Sequence, residues 1–136
     1  ERVEIDLNNN FPLRVYGTAR AVDFQSDTTT YPDYVFDAYY NSTSELNSNY
    51  SFMSLKDVES FIKANGHLPG VKSYEEIKSN DMSISLSETS IKNLEKIEEL
   101  FLYAIELKKE NTELKSKQKN LEKRLQVLES LIQKKD

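Results

Sequence analysis

The sequence has no cysteine, a single histidine, and no apolar run near the ~20 residues that a membrane-spanning helix requires. The absence of cysteine excludes disulfides, thiolate nucleophiles and cysteine-ligated zinc. It carries no information on compartment, because many bacterial and viral surface proteins also lack cysteine. With His67 alone, a histidine-rich metal site within one chain is excluded, although a symmetric oligomer would bring several copies together. No metal and no cofactor is therefore expected. The net charge is −5 and no basic patch is interleaved with aromatics, so neither nucleic acid nor a membrane is an expected partner. Any membrane or secretion signal is expected outside this piece. The acids, Asp33, Asp37 and Glu45 among them, show no spacing that would separate a general acid from a base, so hydrolysis of an external substrate is not expected.

What is present fits one small domain of roughly 100 residues plus an extension. The chain opens at Glu1, without a Met and already in an alternating pattern, which suggests a piece of a longer protein. Val3, Ile5 and Leu7 alternate with Arg2, Glu4 and Asp6, the period-2 signature of a half-buried strand, until Asn8-Asn9-Asn10 interrupts it. Leu13, Val15 and then Ala19 and Ala21, on either side of Gly17, continue the alternation and predict two or three short strands before Phe24. Half of the aromatics follow between Tyr31 and Phe52, around a polar stretch, Asn41-Ser42-Thr43-Ser44, that reads as an exposed loop. A ring cluster of this kind is more often packing than a sugar-stacking platform. The Asn41-Ser42-Thr43 triplet matches a glycosylation acceptor, a match that is frequent by chance.

Three helix starts are legible. Ser54, with Asp57 in the first turn, opens a helix whose broad apolar face carries Leu55, Val58, Phe61 and Ile62, and Asn65-Gly66 ends it. His67-Leu68-Pro69-Gly70 is a turn, and Ser73 with Glu76 has capping-box spacing for a short second helix to about Ser79, stopped by Asn80-Asp81. These two helices are expected to cover one face of a minicore. Ser85 and Glu88 form a further box, and from Leu86 onward there is neither Pro nor Gly, so one helix of roughly 45 residues and about 70 Å is predicted.

Heptads run through that helix. With a at Ile97, Ala104, Asn111, Gln118, Leu125 and Ile132, the d positions are Leu100, Leu107, Leu114, Leu121 and Leu128, all leucine. Five leucines at seven-residue spacing predict a left-handed coiled coil. A solvated single helix held by i,i+4 ion pairs is the competing reading for the charged stretch from Lys108 to Glu113, and the unbroken d column argues against it. Asn111 and Gln118 at a cost stability but penalise misaligned registers, and periodicity alone leaves the count open between two chains and three. Before Leu107 the stripe widens through Leu94, Phe101, Leu102 and Ile105, so this half is expected to pack on the globular region as well.

Tyr31-Pro32-Asp33-Tyr34-Val35-Phe36-Asp37, the stretch from Ser54 through Asn65-Gly66-His67-Leu68-Pro69-Gly70-Val71, and Ile91-Lys92-Asn93-Leu94-Glu95-Lys96-Ile97-Glu98-Glu99-Leu100-Phe101-Leu102-Tyr103 resemble the C-terminal domains of Bacteroidetes tail-fibre-like and surface proteins. Those domains look like divergent relatives of the endosialidase-type intramolecular chaperone. Leu13 to Ala21 is similar to the stalk segment that often precedes it, so the resemblance covers almost the whole chain. It implies a homotrimer, with a parallel dimer as the alternative, that aligns a β-rich stalk of the same protein upstream. It also implies a place on a virion tail fibre or a bacterial surface.

Many members cleave themselves at a serine that begins a Ser-Asp motif followed by an Arg and a Lys. Here Ser26-Asp27 supplies the first two letters and Thr28-Thr29-Thr30-Tyr31 neither of the others, and the nearest lysine in sequence is Lys56. Self-cleavage is therefore a weak alternative, and no enzymatic activity is the main expectation. A receptor- or glycan-binding tip is another alternative, with Tyr39, Tyr40 and Tyr50 as its candidate residues. The expected fold is α+β: residues 1–25 as the end of a β-strand stalk, 26–85 as a small globular α+β region, and 86–136 as a long helix forming a parallel coiled coil.

Overall fold

The computed structural model of the chain describes residues 2–5, 13–23, 25 and 31–134. Ser26 and Asp27, and the end of the first alternating stretch at residues 6 and 7, lie outside the described residues. What is described is mostly helical, with one pair of short strands.

Strands β1 (Arg2–Ile5) and β2 (Leu13–Tyr16) pair antiparallel, with Val3 opposite Val15 and Ile5 opposite Leu13. Alternation places these four apolar side chains on one face, where they can pair across the strands. All four remain exposed. Of the two or three short strands expected, two are present: residues 18–23 carry no strand, Gly17 sits at φ 147°, and alanine offers a pleated surface little to pack.

Helix α1 (Tyr34–Asn41) falls inside the aromatic stretch and ends at Ser42, which takes a left-handed φ of 69°. Tyr34, Val35 and Ala38 recur at helical spacing and are its buried residues. Helix α2 (Leu55–Asn65) starts where Ser54 Oγ accepts from the Asp57 N–H at 3.2 Å. It ends at Gly66, whose φ of 75° favours glycine and whose N–H reaches the Ile62 carbonyl at 2.8 Å. Helix α3 (Tyr74–Ser79) has both halves of the capping box, Ser73 Oγ accepting from Glu76 and Glu76 accepting from the Ser73 N–H. Helix α4 (Leu86–Gln133) begins at Ser85, whose Oγ accepts from the Glu88 N–H at 3.2 Å. Its 48 residues span about 72 Å.

The core sits between α1 and α4. Val35 and Leu102 are fully buried and Tyr34 nearly so, with Tyr39, Tyr50 and Phe52 packed around them. This corrects the expectation that α2 and α3 cover the minicore: neither contains a buried residue, and Leu55 and Ile62 on the α2 apolar face stay exposed. Helix α1 wins the place because it concentrates a tyrosine, a valine and an alanine on one narrow face, whereas Phe61 of α2 is taken edge-on by His67, ring centroids 5.4 Å apart. The polar loop after α1 is also not wholly exposed. Ser44 is buried, donating to Asp37 Oδ2 at 3.1 Å and accepting from the Leu46 N–H at 3.2 Å.

A compact monomer of 15.8 kDa is expected to expose about 7,300 Å². This chain exposes 11997 Å², and most of α4 beyond Tyr103 is exposed, uncovered by any other described residue. Leu102→Ala should cost about 2–5 kcal/mol, the range for emptying a buried leucine site. Urea unfolding followed by tyrosine fluorescence measures it, and an unchanged midpoint would contradict the placement of the core.

Candidate functional site

The long helix presents two different faces. On the first, the d leucines Leu100, Leu107, Leu114, Leu121 and Leu128 are 54–63% exposed. At a, Ile97, Leu125 and Ile132 are likewise open, as are Ala104, Asn111 and Gln118. Gln118 Nε2 donates to Glu122 Oε1 at 3.0 Å, one turn along the same helix. The eleven heptad residues lie on one stripe because 3.6 residues per turn nearly divides seven, and no other part of the described chain covers them.

The second face belongs to the chain itself. In the same register Glu95 and Leu102 are f, Glu98 is b, Glu99 and Glu106 are c, and Tyr103 is g, so the globular region sits on the side of α4 away from the a/d stripe. Tyrosines fasten it there. Tyr34 donates its phenol to the buried Glu95 carboxylate, Tyr50 to Glu99 at 2.9 Å and Tyr39 to Glu106 at 2.8 Å. Tyr103 donates in the other direction, to the Met53 carbonyl at 2.7 Å. Lys92 and Lys96 approach Glu95 at 2.8 and 3.0 Å, and Lys96 also holds Glu99 at 2.8 Å.

The titrations follow from this geometry. Burial pushes the Glu95 carboxyl up, but hydrogen bonds from Lys92, Tyr34 and Lys96 outweigh it and leave the group below its ordinary value. Burial, then the acceptor Glu95, raises the Tyr34 phenol, and burial beside Glu99 does the same for Tyr50. The Tyr103 phenol is pushed up to about 12, mainly by burial. These phenols stay protonated as donors throughout the physiological range. Glu98 is the exception in the cluster. It is buried, its Oε2 has no hydrogen-bond partner among the described residues, and burial together with the charges of Asp33 and Glu95 raises its carboxyl above its ordinary value.

Of the residues expected to broaden the stripe, only Leu102 is fully buried, and it lies on the opposite face. Leu94 is half-buried, while Phe101 and Ile105 stay exposed at 62% and 39%. The glutamates that receive the tyrosines were not singled out in the sequence. Glu95, Glu99, Leu102 and Glu106 nevertheless recur at i, i+4, i+7 and i+11, a second stripe hidden because three of its four members are charged. Among the candidate glycan-stacking residues, Tyr39 and Tyr50 are engaged in these bonds and Tyr40, 62% exposed, is left open with its ring edge-on to Tyr39. Asn41, Ser42 and Thr43 are exposed. Lys56 is exposed on α2, and Ser26 and Asp27 are outside the described residues.

Beside the tyrosine bonds lies an open cleft of about 250 Å³, lined by residues including Tyr50, Met53, Val58, Gly70, Lys96 and Glu99. Its carboxylates are already neutralised by lysines. Among the described residues no group of acids and histidine gathers to hold a metal, and no helix is long and apolar enough to cross a membrane. No family model matches this chain, and no curated protein or solved structure is significantly similar to it.

Because the folded state raises the Glu98 pKa, the charged form opposes folding, fully so above the folded value, and this cost disappears as pH falls toward 4.5. Glu95 has the opposite sign: its contribution is present above 4.5 and is lost as pH falls through its lowered folded value. Glu98→Gln should therefore melt at a higher temperature than the parent at pH 7 and lose the gain that the parent shows on acidification toward 4.5. Thermal unfolding by circular dichroism across this range checks it, and a variant no more stable at pH 7 would contradict the assignment.

Proposed function

We propose that this chain is a trimerisation and folding module, intramolecular-chaperone-like, of a phage tail-fibre or bacterial surface-fibre protein. It acts on a β-rich stalk of the same protein upstream, and it has no substrate to turn over. The observation that carries the reading is the uncovered leucine stripe. A helix of this length exposes it along its whole heptad region while turning its other face to its own chain. Leucines this exposed in water are an interface awaiting a partner.

Charge favours a second copy of the same chain, parallel and unstaggered. In such a coil each g residue faces the e residue five positions on in the next chain. Glu110 then faces Lys115, Lys117 faces Glu122 and Arg124 faces Glu129, all three attractive. Sliding one chain by a heptad sets Glu110 against Glu122, and sliding it the other way sets Lys117 against Lys115. The same slips part the matched Asn111 and Gln118 layers at a, setting Gln118 against Leu125 and Asn111 against Ala104.

Three chains are preferred to the alternative parallel dimer on the resemblance to the fibre chaperones. The broader arc at the level of Leu94 and Phe101 agrees, since a helix in a three-stranded coil buries more of its circumference than one in a pair. The mechanism is entropic. Inter-chain β-pairing in a stalk is non-local and slow, and a coil that gathers three chains raises their effective concentration and fixes their alignment before the stalk closes. A glycan-binding tip would rest on Tyr40 alone, and self-cleavage lacks its Arg and Lys.

Light scattering of this chain at several concentrations should give a concentration-independent mass of three chains, and Leu114→Asp with Leu121→Asp should give one. A dimer would keep the coil and remove the fibre reading. A stable monomer would remove both.

A further inference from the structure

We propose that Phe101 of each chain docks on the globular region of the neighbouring chain, against the edge formed by Lys96, Tyr103 and the Tyr50–Met53 segment. The inference rests on the parallel, unstaggered coil proposed above and adds to it an anchor outside the leucine seam.

Successive residues of a helix point about 100° apart. Own-chain packing on α4 occupies b, c, f and g, through Glu98, Glu99, Leu102, Tyr103 and Glu106, and at e it half-buries Leu94 but leaves Phe101 open. Phe101 is at e. It is 62% exposed although the next two residues, Leu102 and Tyr103, are buried.

The e positions change character along the helix. Lys108, Lys115, Glu122 and Glu129 are charged, as edges flanked by water should be, whereas Leu94 and Phe101 are apolar. The change occurs at the height of the globular region, where Leu94 is half-buried in its own chain and Phe101 is left for a partner that is apolar there.

In the unstaggered coil, Phe101 lies opposite g of the next chain, at Lys96, with Tyr103 one heptad on. That edge is not bare helix. The Tyr103 phenol is tied to the Met53 carbonyl at 2.7 Å, and its ring lies 4.9 Å from that of Phe52. The Lys96 side chain is 14% exposed, pinned between Glu95 and Glu99. Glu99 in turn accepts from Tyr50 at 2.9 Å. Beside this wall opens the cleft of about 250 Å³ whose lining includes Tyr50, Met53, Val58 and Lys96.

An exposed aromatic facing a preformed, partly apolar recess with a cation at its margin has the make-up of an interface anchor. Around a ring of three chains each Phe101 meets the next globular region, so the three regions form a collar joined to one another at the start of the coil. Each chain then contributes both the anchor and the recess that receives its neighbour's.

The absence of native cysteine allows a direct test. In the full chain carrying Phe101→Cys and Met53→Cys, oxidation should give disulfide-linked species of up to three chains on a non-reducing gel, and neither single variant should. A protein that keeps the parent's assembled mass by light scattering but forms no bond between chains overturns this docking alone. A protein whose parent form is already monomeric overturns the coil reading with it.

Phe101→Ala provides a second readout if the double variant fails to fold. The chain concentration at half-assembly should rise at least about tenfold, the effect of truncating an aromatic anchor, with helix content at saturating concentration retained. An unchanged half-assembly concentration overturns the proposal.

Discussion

Val35 and Leu102 lose all exposure where α1 meets α4, and this contact decides which side of the long helix faces the rest of its own chain. Everything else about α4 follows from that choice. A helix has a single circumference, and once f, c and part of b and g are taken by α1 and the Tyr50–Met53 segment, the a/d stripe on the far side is left to solvent or to other chains. The segment after α1 ends at α2, whose apolar face is only partly buried, and no described residue folds over the leucines.

The apolar part of that contact is small, and the polar part gives it orientation. Tyr34, Tyr50 and Tyr39 reach Glu95, Glu99 and Glu106 along one side of α4, and the Tyr34 and Tyr39 bonds would be lost together if α1 rotated or slid by a turn. Hydrogen bonds to charged acceptors contribute more than neutral ones, and a buried carboxylate left without its donor is costly, so the pattern penalises misdocking more than it adds net stability. Lys92 and Lys96 complete the neutralisation of Glu95 and Glu99. Glu98 is buried with no hydrogen-bond partner for its Oε2 among the described residues, so the fold tolerates a poorly matched charge there.

Local signals were legible and long-range ones were not. Ser54, Ser73 and Ser85 each begin a helix where the capping residues place it, Gly66 ends α2, and α4 runs without interruption from Leu86. These depend on backbone groups within a turn of the residue concerned. Helix α1 was hidden because Tyr34, Val35 and Ala38 are embedded among further aromatics, so the stretch reads as a general ring cluster with no clear period. The apolar widening before Leu107 marks the half of α4 that packs on the globular region, and Leu102 does so from position f, opposite the seam rather than beside it. The tyrosine bonds link residues 49 to 67 apart in sequence, and no local pattern marks a glutamate as an acceptor for a distant phenol. Ala19 and Ala21 alternate correctly but bring too little side chain to hold a third strand.

The central claim is the division of α4 into a proximal part held by its own chain and a distal part held by its copies. Amide hydrogen exchange along the helix, in the parent and in Leu114→Asp/Leu121→Asp, tests it most directly because exchange reports the free energy of local opening residue by residue. The division predicts protection over residues 94–106 in both proteins, and protection over residues 107–133 in the parent alone. Equal protection of the distal part in both would make it a self-supporting single helix, and loss of the proximal part along with the distal would mean that the globular region does not hold the helix by itself; either result would contradict the division.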